Sequence, residues 1–318
     1  MTESYFSDSR RSFIKKAGMG LAGMLLLPEM AFSAAPSPKR KITILHTNDM
    51  HSHIDPFPAD DPQYAGLGGM SRRAALIDKI RSEEELVLLL DSGDIFQGTP
   101  YFNFFGGEPE FKLMSAMKYD AATMGNHDFD NGLEGFLKML PHATFPFVCS
   151  NYDFSETILK GKTLSHTIIT RGGIKIGIFG LGVELDGLVA KKNYGKTKYL
   201  DPIAVAQQKS AELRNQHHCD MVICLSHLGY SYKTEKISDL KLAAMSKGID
   251  LILGGHTHTF LEKVTLVKNA DGNQVIVNQA GWGGIRLGRI DIEFEKSPKN
   301  LGLVGDFAYI SSTNKDVC

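Results

Sequence analysis

Thr123-Met124-Gly125-Asn126-His127-Asp128-Phe129-Asp130 stands between two patterned segments. Tyr119 to Met124 before it is apolar and short, as in a strand. Asn131 to Leu140 after it reads as a short helix ended by Pro141. The polar residues therefore fall on a strand-to-helix turn, where side chains project from a sheet edge without entering the core. Asn126 offers a neutral oxygen to a metal. His127 offers a proton or a positive charge near neutral pH. Asp130, three residues on, is placed to accept a hydrogen bond from that imidazole and hold its tautomer.

Working outward, the same arrangement recurs. Strand-like runs are Ile42–His46, Leu86–Leu90, Ala121–Met124, Phe147–Ser150, Ile174–Leu181, Met221–Ser226 and Leu251–Leu253. Helical patterns are Met70–Glu84, a stretch within Thr99–Met117, Leu133–Leu140, Pro202–Gln216 and Ser238–Lys247. Beyond Gly255 the pattern becomes β, with Leu261–Val267, Val275–Gln279 and Leu287–Phe294, and Asp271-Gly272 reads as a hairpin turn. The class is α/β. Asp49-Met50-His51 follows the first strand, Asp91-Ser92-Gly93-Asp94 the second and Gly125-Asn126-His127 the third. Ser226-His227 ends the sixth, and Gly254-Gly255-His256-Thr257-His258 follows the seventh. Ligand sites of α/β sheets gather at such carboxyl ends.

Asp49, His51, Asp94, Asn126, His227, His256 and His258 are thus candidate metal ligands. Imidazole, carboxylate and amide donors without thiolate suit Mn, Fe, Zn, Co or Ni. Seven ligands are too many for one tetrahedral ion and suit two, with Asp94 as the bridging carboxylate. Such a pair attracts a phosphate anion and activates a water. No Ser or Cys sits beside a free base, so attack by metal-bound hydroxide is the simplest mechanism.

The order Asp-x-His, Gly-Asp, Gly-Asn-His-Asp, His, Gly-His-x-His resembles the calcineurin-like metallophosphoesterases. Leu45-His46-Thr47-Asn48-Asp49-Met50-His51-Ser52-His53 and Asp91-Ser92-Gly93-Asp94-Ile95-Phe96-Gln97-Gly98-Thr99 resemble their 5′-nucleotidase branch, as does Gly125-Asn126-His127-Asp128-Phe129-Asp130. The likeness runs from about Lys41 to Ile292. It implies a four-layer α/β/β/α sandwich with two mixed sheets. It also implies two divalent ions, the first on Asp49, His51, Asp94 and His258, the second on Asp94, Asn126, His227 and His256. By the same likeness His127, oriented by Asp130, stabilises or protonates the leaving oxygen. Some nucleotidases carry Gln where this chain has His258. Two-domain 5′-nucleotidases continue into a C-terminal domain with stacking aromatics and phosphate-binding arginines, whereas this sequence stops at Cys318. The expectation is that a separate exported polypeptide supplies that nucleotide pocket.

The implied function is an exported phosphomonoesterase of the 5′-nucleotidase kind acting on a phosphate ester, with a nucleotide as substrate. The alternatives are a cyclic-nucleotide phosphodiesterase, a thiosulfohydrolase-like hydrolase, or a metal-binding subunit of a two-chain nucleotidase. Asn126, His127 and Trp282 are the substrate-binding candidates, Trp282 as a platform for a base.

Ser9-Arg10-Arg11-Ser12-Phe13-Ile14-Lys15-Lys16, followed by the mildly apolar Ala17 to Leu27, reads as a twin-arginine export signal over 1–33, cut after Ser33, with 34–318 as the metallophosphoesterase domain and a periplasmic or otherwise exported destination. The apolar run is too short for a comfortable membrane span, and none other is long enough. Without 1–33 the chain has 31 basic and 33 acidic residues. No basic stripe suggests nucleic-acid binding. Cys149, Cys219, Cys224 and Cys318 form no Cys-x-x-Cys; Cys219 and Cys224 are read as sharing one strand. His46 reads as a hydrogen-bonded core residue, and His53 and Asp91 as either structural or site-facing. His142, His166, His217 and His218 match no motif and read as surface or structural. Gly66 to Arg72 reads as a turn with Ser71 near a helix cap.

Overall fold

A computed structural model describes residues 40–294 and, as backbone, the strand Leu301–Tyr309. The signal expected over 1–33 and Cys318 lie outside the described residues. In chain order the strands are β1 (Arg40–Thr47), β2 (Val87–Asp91), β3 (Ala121–Ala122), β4 (Tyr152–Asp153), β5 (Thr167–Arg171), β6 (Ile174–Gly182) and β7 (Lys198–Tyr199). Then come β8 (Met221–His227), β9 (Leu251–Leu253), β10 (Thr265–Lys268), β11 (Gln274–Asn278), β12 (Arg286–Phe294) and β13 (Leu301–Tyr309). They form a five-stranded sheet ordered β13-β12-β1-β2-β3, a six-stranded sheet ordered β10-β11-β9-β8-β6-β5, and a β4-β7 pair. Both large sheets are mixed: β1, β2 and β3 run parallel, as do β6, β8, β9 and β11, while β12 pairs antiparallel with β1 and β13, β5 with β6 and β10 with β11.

Why the layers stack follows from the strands. Every residue of β8 is buried, and so are the last six of β1. Runs apolar on both faces need cover on both sides. Ile42, Ile44, Leu88 and Leu90 of the first sheet meet Ile176, Ile223, Leu225 and Leu251 of the second in a shared core. On the far side of the first sheet, Leu45, Leu89 and Leu287 pack with Ile77, Ile80, Met114 and Phe136 of the helices Met70–Glu83, Glu108–Ala116 and Gly132–Met139. On the far side of the second, Val222, Cys224 and Ile252 pack with Val205, Ala206 and Leu242 of the helices Pro202–Ala211 and Asp239–Met245. The result is the expected four-layer α/β/β/α sandwich with two mixed sheets.

Several elements differ from the sequence reading for local reasons. The stretch within Thr99–Met117 is two helices, Pro100–Phe105 and Glu108–Ala116, parted at Gly106-Gly107, whose φ angles are 68° and 107°. Phe147–Ser150 makes only isolated bridges, Phe147 with Ala122 and Val148 with Leu164. Pro146 before it carries no N–H for a ladder. β5 and β13 are additional to the sequence reading; the first holds only Ile168-Ile169 between polar residues and the second is broken by Gly302, Gly305 and Asp306, so neither shows a long apolar run. The helix starting at Met70 is capped by Gly69 without a side-chain bond, so Ser71 is no cap. Cys219 precedes β8 rather than sharing it, and Cys149, Cys219 and Cys224 are free and buried. Among the described residues no helix is long and apolar enough to cross a membrane.

His46 bridges the two sheets as a core residue. Its Nε2 accepts from Asn278 Nδ2 at 3.0 Å, and a Cβ on Gly288 would stand 2.0 Å from that nitrogen. Burial pushes the imidazole down to about 3, far below the value of the unfolded chain. The folded state then binds fewer protons than the unfolded, so this stabilisation is complete above pH 6.5 and is lost as pH falls toward 3. We expect His46 to contribute about 1.4 kcal/mol of destabilisation per pH unit below 6.5. Denaturant unfolding between pH 6.5 and 5 should show His46→Gln with a slope shallower by one proton. Equal slopes would mean that His46 is not held neutral.

Candidate metal centre

The seven candidate ligands meet at one edge of the sandwich, where β1, β2 and β3 of one sheet and β8 and β9 of the other end. The turns there are knitted by backbone bonds: Asp49 N to Gly93 O (2.9 Å), His51 N to Asp94 O (3.0 Å) and Gly283 N to Asp49 O (2.7 Å). Asp49, His51 and His258 bring three donor atoms within 4.8 Å of one another, and Asp94, His227 and His256 do the same. Asn126 joins the second group, its Oδ1 2.8 Å from His256 Nδ1. Asp94 lies between the groups: its Oδ2 is 3.1 Å from His227 Nε2 and 3.9 Å from His51 Nε2.

Backbone conformation shows that this arrangement is held against local preference. Asp49, His51, Asp94, His256 and His258 have φ of 49°, 48°, 55°, 71° and 52°. Each such residue without the freedom of glycine costs on the order of 1–3 kcal/mol, and such strain clusters at functional sites. Two glycines let these turns close, Gly125 on the Asp94 carboxylate and Gly93 on the backbone of Gly125. A Cβ on Gly125 would lie 2.2 Å from Asp94 Oδ1, and one on Gly93 would lie 2.4 Å from Gly125 N.

The imidazoles of the two groups are fixed by their neighbours. His227 is fully buried; its Nδ1 donates to Ser92 O at 2.7 Å, which turns Nε2 toward the carboxylates, 3.1 Å from Asp94 Oδ2. His51 places Nδ1 3.2 Å from Gln97 O, and its Nε2 lies 3.0 Å from His258 Nε2. His258 Nε2 is 3.4 Å from Asp49 Oδ1. Donors sharing an ion at about 2.1 Å stand roughly 3.0–3.4 Å apart, so these spacings fit a divalent ion in each group. Electrostatics agrees. Burial opposes a charged His227, yet Asp94 and Asp49 outweigh it and raise the imidazole to about 10. The buried carboxylates demand a cation. Burial lowers His51, and burial with nearby His227 lowers His256 to about 4.

His127 stands beside the pair of donor groups. Its backbone N donates to Asp94 Oδ1 at 2.7 Å, and its Nδ1 lies 2.8 Å from Asp130 Oδ2. That hydrogen bond raises the imidazole above its ordinary value. Trp282 is half-buried, its ring stacked on His258 at 5.6 Å and 8°, with His53, Phe57 and Tyr64 against its edges. One face of the indole is therefore spent on His258. His53 stacks on Phe57 and borders a cavity of about 390 Å³ that Thr99, Tyr101, Phe104 and Phe105 also line. Asp91 is structural, accepting from Thr47 Oγ1 at 2.6 Å and Gly93 N at 2.9 Å.

Three supports escaped the sequence reading. Asp128, buried within the quoted Gly-Asn-His-Asp, accepts the amides of Asp94, Ile95, Phe96 and Gly125 at 2.8–3.3 Å, fixing the Asp94 turn to the third strand's turn. Asn48 donates to Asp49 Oδ2 and Gly281 O, both at 2.6 Å, and accepts from Ala280 N. Gln279 donates to Gly255 O at 2.6 Å and accepts from Thr257 Oγ1 at 3.2 Å, holding the His256–His258 turn. Asn48 and Asp128 lie beside candidate donors in the sequence, whereas nothing in the sequence marked Gln279.

The sequence model for the calcineurin-like phosphoesterases matches residues 42–260. The chain is 35% identical over 296 residues to the snake venom 5′-nucleotidase of Crotalus adamanteus, covering 86% of this chain and 49% of that protein. It is 30% identical over 294 residues to the 5′-nucleotidase of Homo sapiens, covering 86% and 50%. The crystal structure of a 5′-nucleotidase precursor from Thermus thermophilus superposes with a TM-score of 0.78 at 33% identity, covering 85% of this chain and 55% of that one. The chain spans about half the length of the curated relatives it matches. Fold, ordered donors and sequence likeness together show that the chain belongs to the calcineurin-like phosphoesterase family.

Proposed function

We propose that the chain is a dinuclear metal-dependent phosphoesterase, specifically a 5′-nucleotidase-like phosphomonoesterase. Asp49, His51 and His258 hold one divalent ion, Asn126, His227 and His256 the other, and Asp94 serves both. The observation that carries this reading is the convergence of Asp49, His51 and His258 with Asp94, His227 and His256, Asp94 Oδ2 standing 3.1 Å from His227 Nε2 and 3.9 Å from His51 Nε2. Mn, Fe, Zn, Co and Ni suit the donor set.

When bound, two such ions supply positive charge for a phosphate group and an activated water. The chain's own residues do the rest. Asn126 and His127 border the place where the phosphate oxygens sit. His127 holds a proton at Nε2 for the departing oxygen, while Asp130 fixes the ring through Nδ1. The apolar part of the leaving alcohol lies toward Trp282 and the cavity bordered by His53. A nucleoside is the leaving group we favour, on the likeness to 5′-nucleotidases.

A chelated preparation reloaded with each ion in turn, and offered a nucleoside monophosphate, an alkyl phosphate, a phosphodiester and a thiosulfate ester, tests the reading. We expect monoester hydrolysis to return with metal, and both monoesters to be turned over faster than the diester and the thiosulfate ester. Faster turnover of the diester or the thiosulfate ester would replace this reading with one of the alternatives, and full activity without metal would reject it.

We further infer export through the twin-arginine signal at Arg10-Arg11. Because that route carries folded proteins, the metals would be loaded first. Replacing Arg10 and Arg11 by Lys should leave precursor in the cytoplasm on cell fractionation. Unchanged export of the variant would point to another route.

A further inference from the structure

His166 and His217 match no motif, yet they are brought together with Glu212. His166 Nδ1 is 3.6 Å and His217 Nε2 3.8 Å from the same oxygen, Glu212 Oε1. The two rings stand 5.1 Å apart. These separations are too long for hydrogen bonds and close to the spacing of donors around one ion. His166 Nδ1 has one other polar neighbour, Ser165 Oγ at 3.3 Å. All three side chains are half-buried.

The helix itself is distorted where this happens. Pro202–Ala211 is α-helical, but Glu212–Gln216 is a π turn, closed by His217 N donating to Glu212 O at 3.2 Å. In an α-helix, residues five apart point about 140° away from each other. The wider turn brings Glu212 and His217 onto one face. Single π turns recur at functional sites. Lys209 binds the other carboxylate oxygen, Oε2, at 2.8 Å, which aims Oε1 at the imidazoles.

We propose that His166, Glu212 and His217 form a peripheral site for one zinc-type divalent cation, completed by water and separate from the catalytic centre. Two imidazoles and a carboxylate are a donor set that zinc accepts. The ion would tie the π turn to the segment entering β5. Lys209, one atom removed from the carboxylate, weakens binding by its charge.

The test is equilibrium dialysis of the tag-free full-length chain against zinc, with the ion counted per chain. His166→Ala and His217→Ala should each hold about one zinc fewer than the unaltered chain while keeping its aryl-phosphate hydrolysis rate. Lys209→Met should keep the ion and bind it about tenfold more tightly. Because the comparison counts a difference, it stands whether or not the catalytic centre holds two metals. Equal zinc content in the unaltered chain and both histidine variants at 100 times the protein concentration would overturn the site, as would loss of the ion in Lys209→Met.

Discussion

Asp94→Asn is expected to lower hydrolysis of a nucleoside monophosphate by about 10³-fold or more. The residue sits between both donor groups, so the change removes negative charge from each. Several kcal/mol of charge stabilisation depend on the ions, and each 1.36 kcal/mol is a factor of ten in rate. The side-chain size is unchanged, and Oδ1 can still accept the His127 amide. The loss should therefore appear as reduced metal content by elemental analysis, with folding intact by circular dichroism. A variant with normal metal content and near-normal rate would show that Asp94 does not serve both ions.

His127→Ala is expected to be the next most damaging change, and its size should depend on the leaving group. General acid catalysis is worth typically 10²–10⁴-fold. A nucleoside or sugar oxygen needs a proton as it departs; nitrophenolate needs far less help. The variant should lose on the order of 10²–10⁴-fold on a nucleotide and much less on a nitrophenyl ester, with metal content unchanged. Asp130→Asn should follow the same trend more weakly, since it loosens the ring held at 2.8 Å without removing it. Equal losses on the two esters would assign His127 to the transferring phosphoryl group instead.

The order of the candidate donors was legible because each stands at or just beyond the end of a strand-like run in the sequence. Asp49, His51, Asp94, Asn126, His227, His256 and His258 could be named from that rule, and the structure brings all seven together. What holds them there was not legible. Asp128 accepts amides more than thirty positions earlier, and Asn48 reaches Gly281 across more than two hundred; such pairings exist only once both sheets are assembled. Nor does any local signal announce that Asp49, His51, Asp94, His256 and His258 adopt positive φ, because residue preference argues against it. The layers were readable and some edges were not: β5 and β13 have sequences too mixed in polarity to stand out. His166 and His217 carry no motif, and a π turn that aligns positions five apart follows neither helical nor strand periodicity.

The proposed two-ion centre is tested most directly by locating the metal. Crystals of the chain loaded with manganese, measured for anomalous scattering, should show two peaks about 3.5–4 Å apart. One should lie within bonding distance of Asp49, His51 and His258, the other of Asn126, His227 and His256, with Asp94 between them. A single peak at this edge, or no peak there at all in protein that hydrolyses its substrate, would contradict the account.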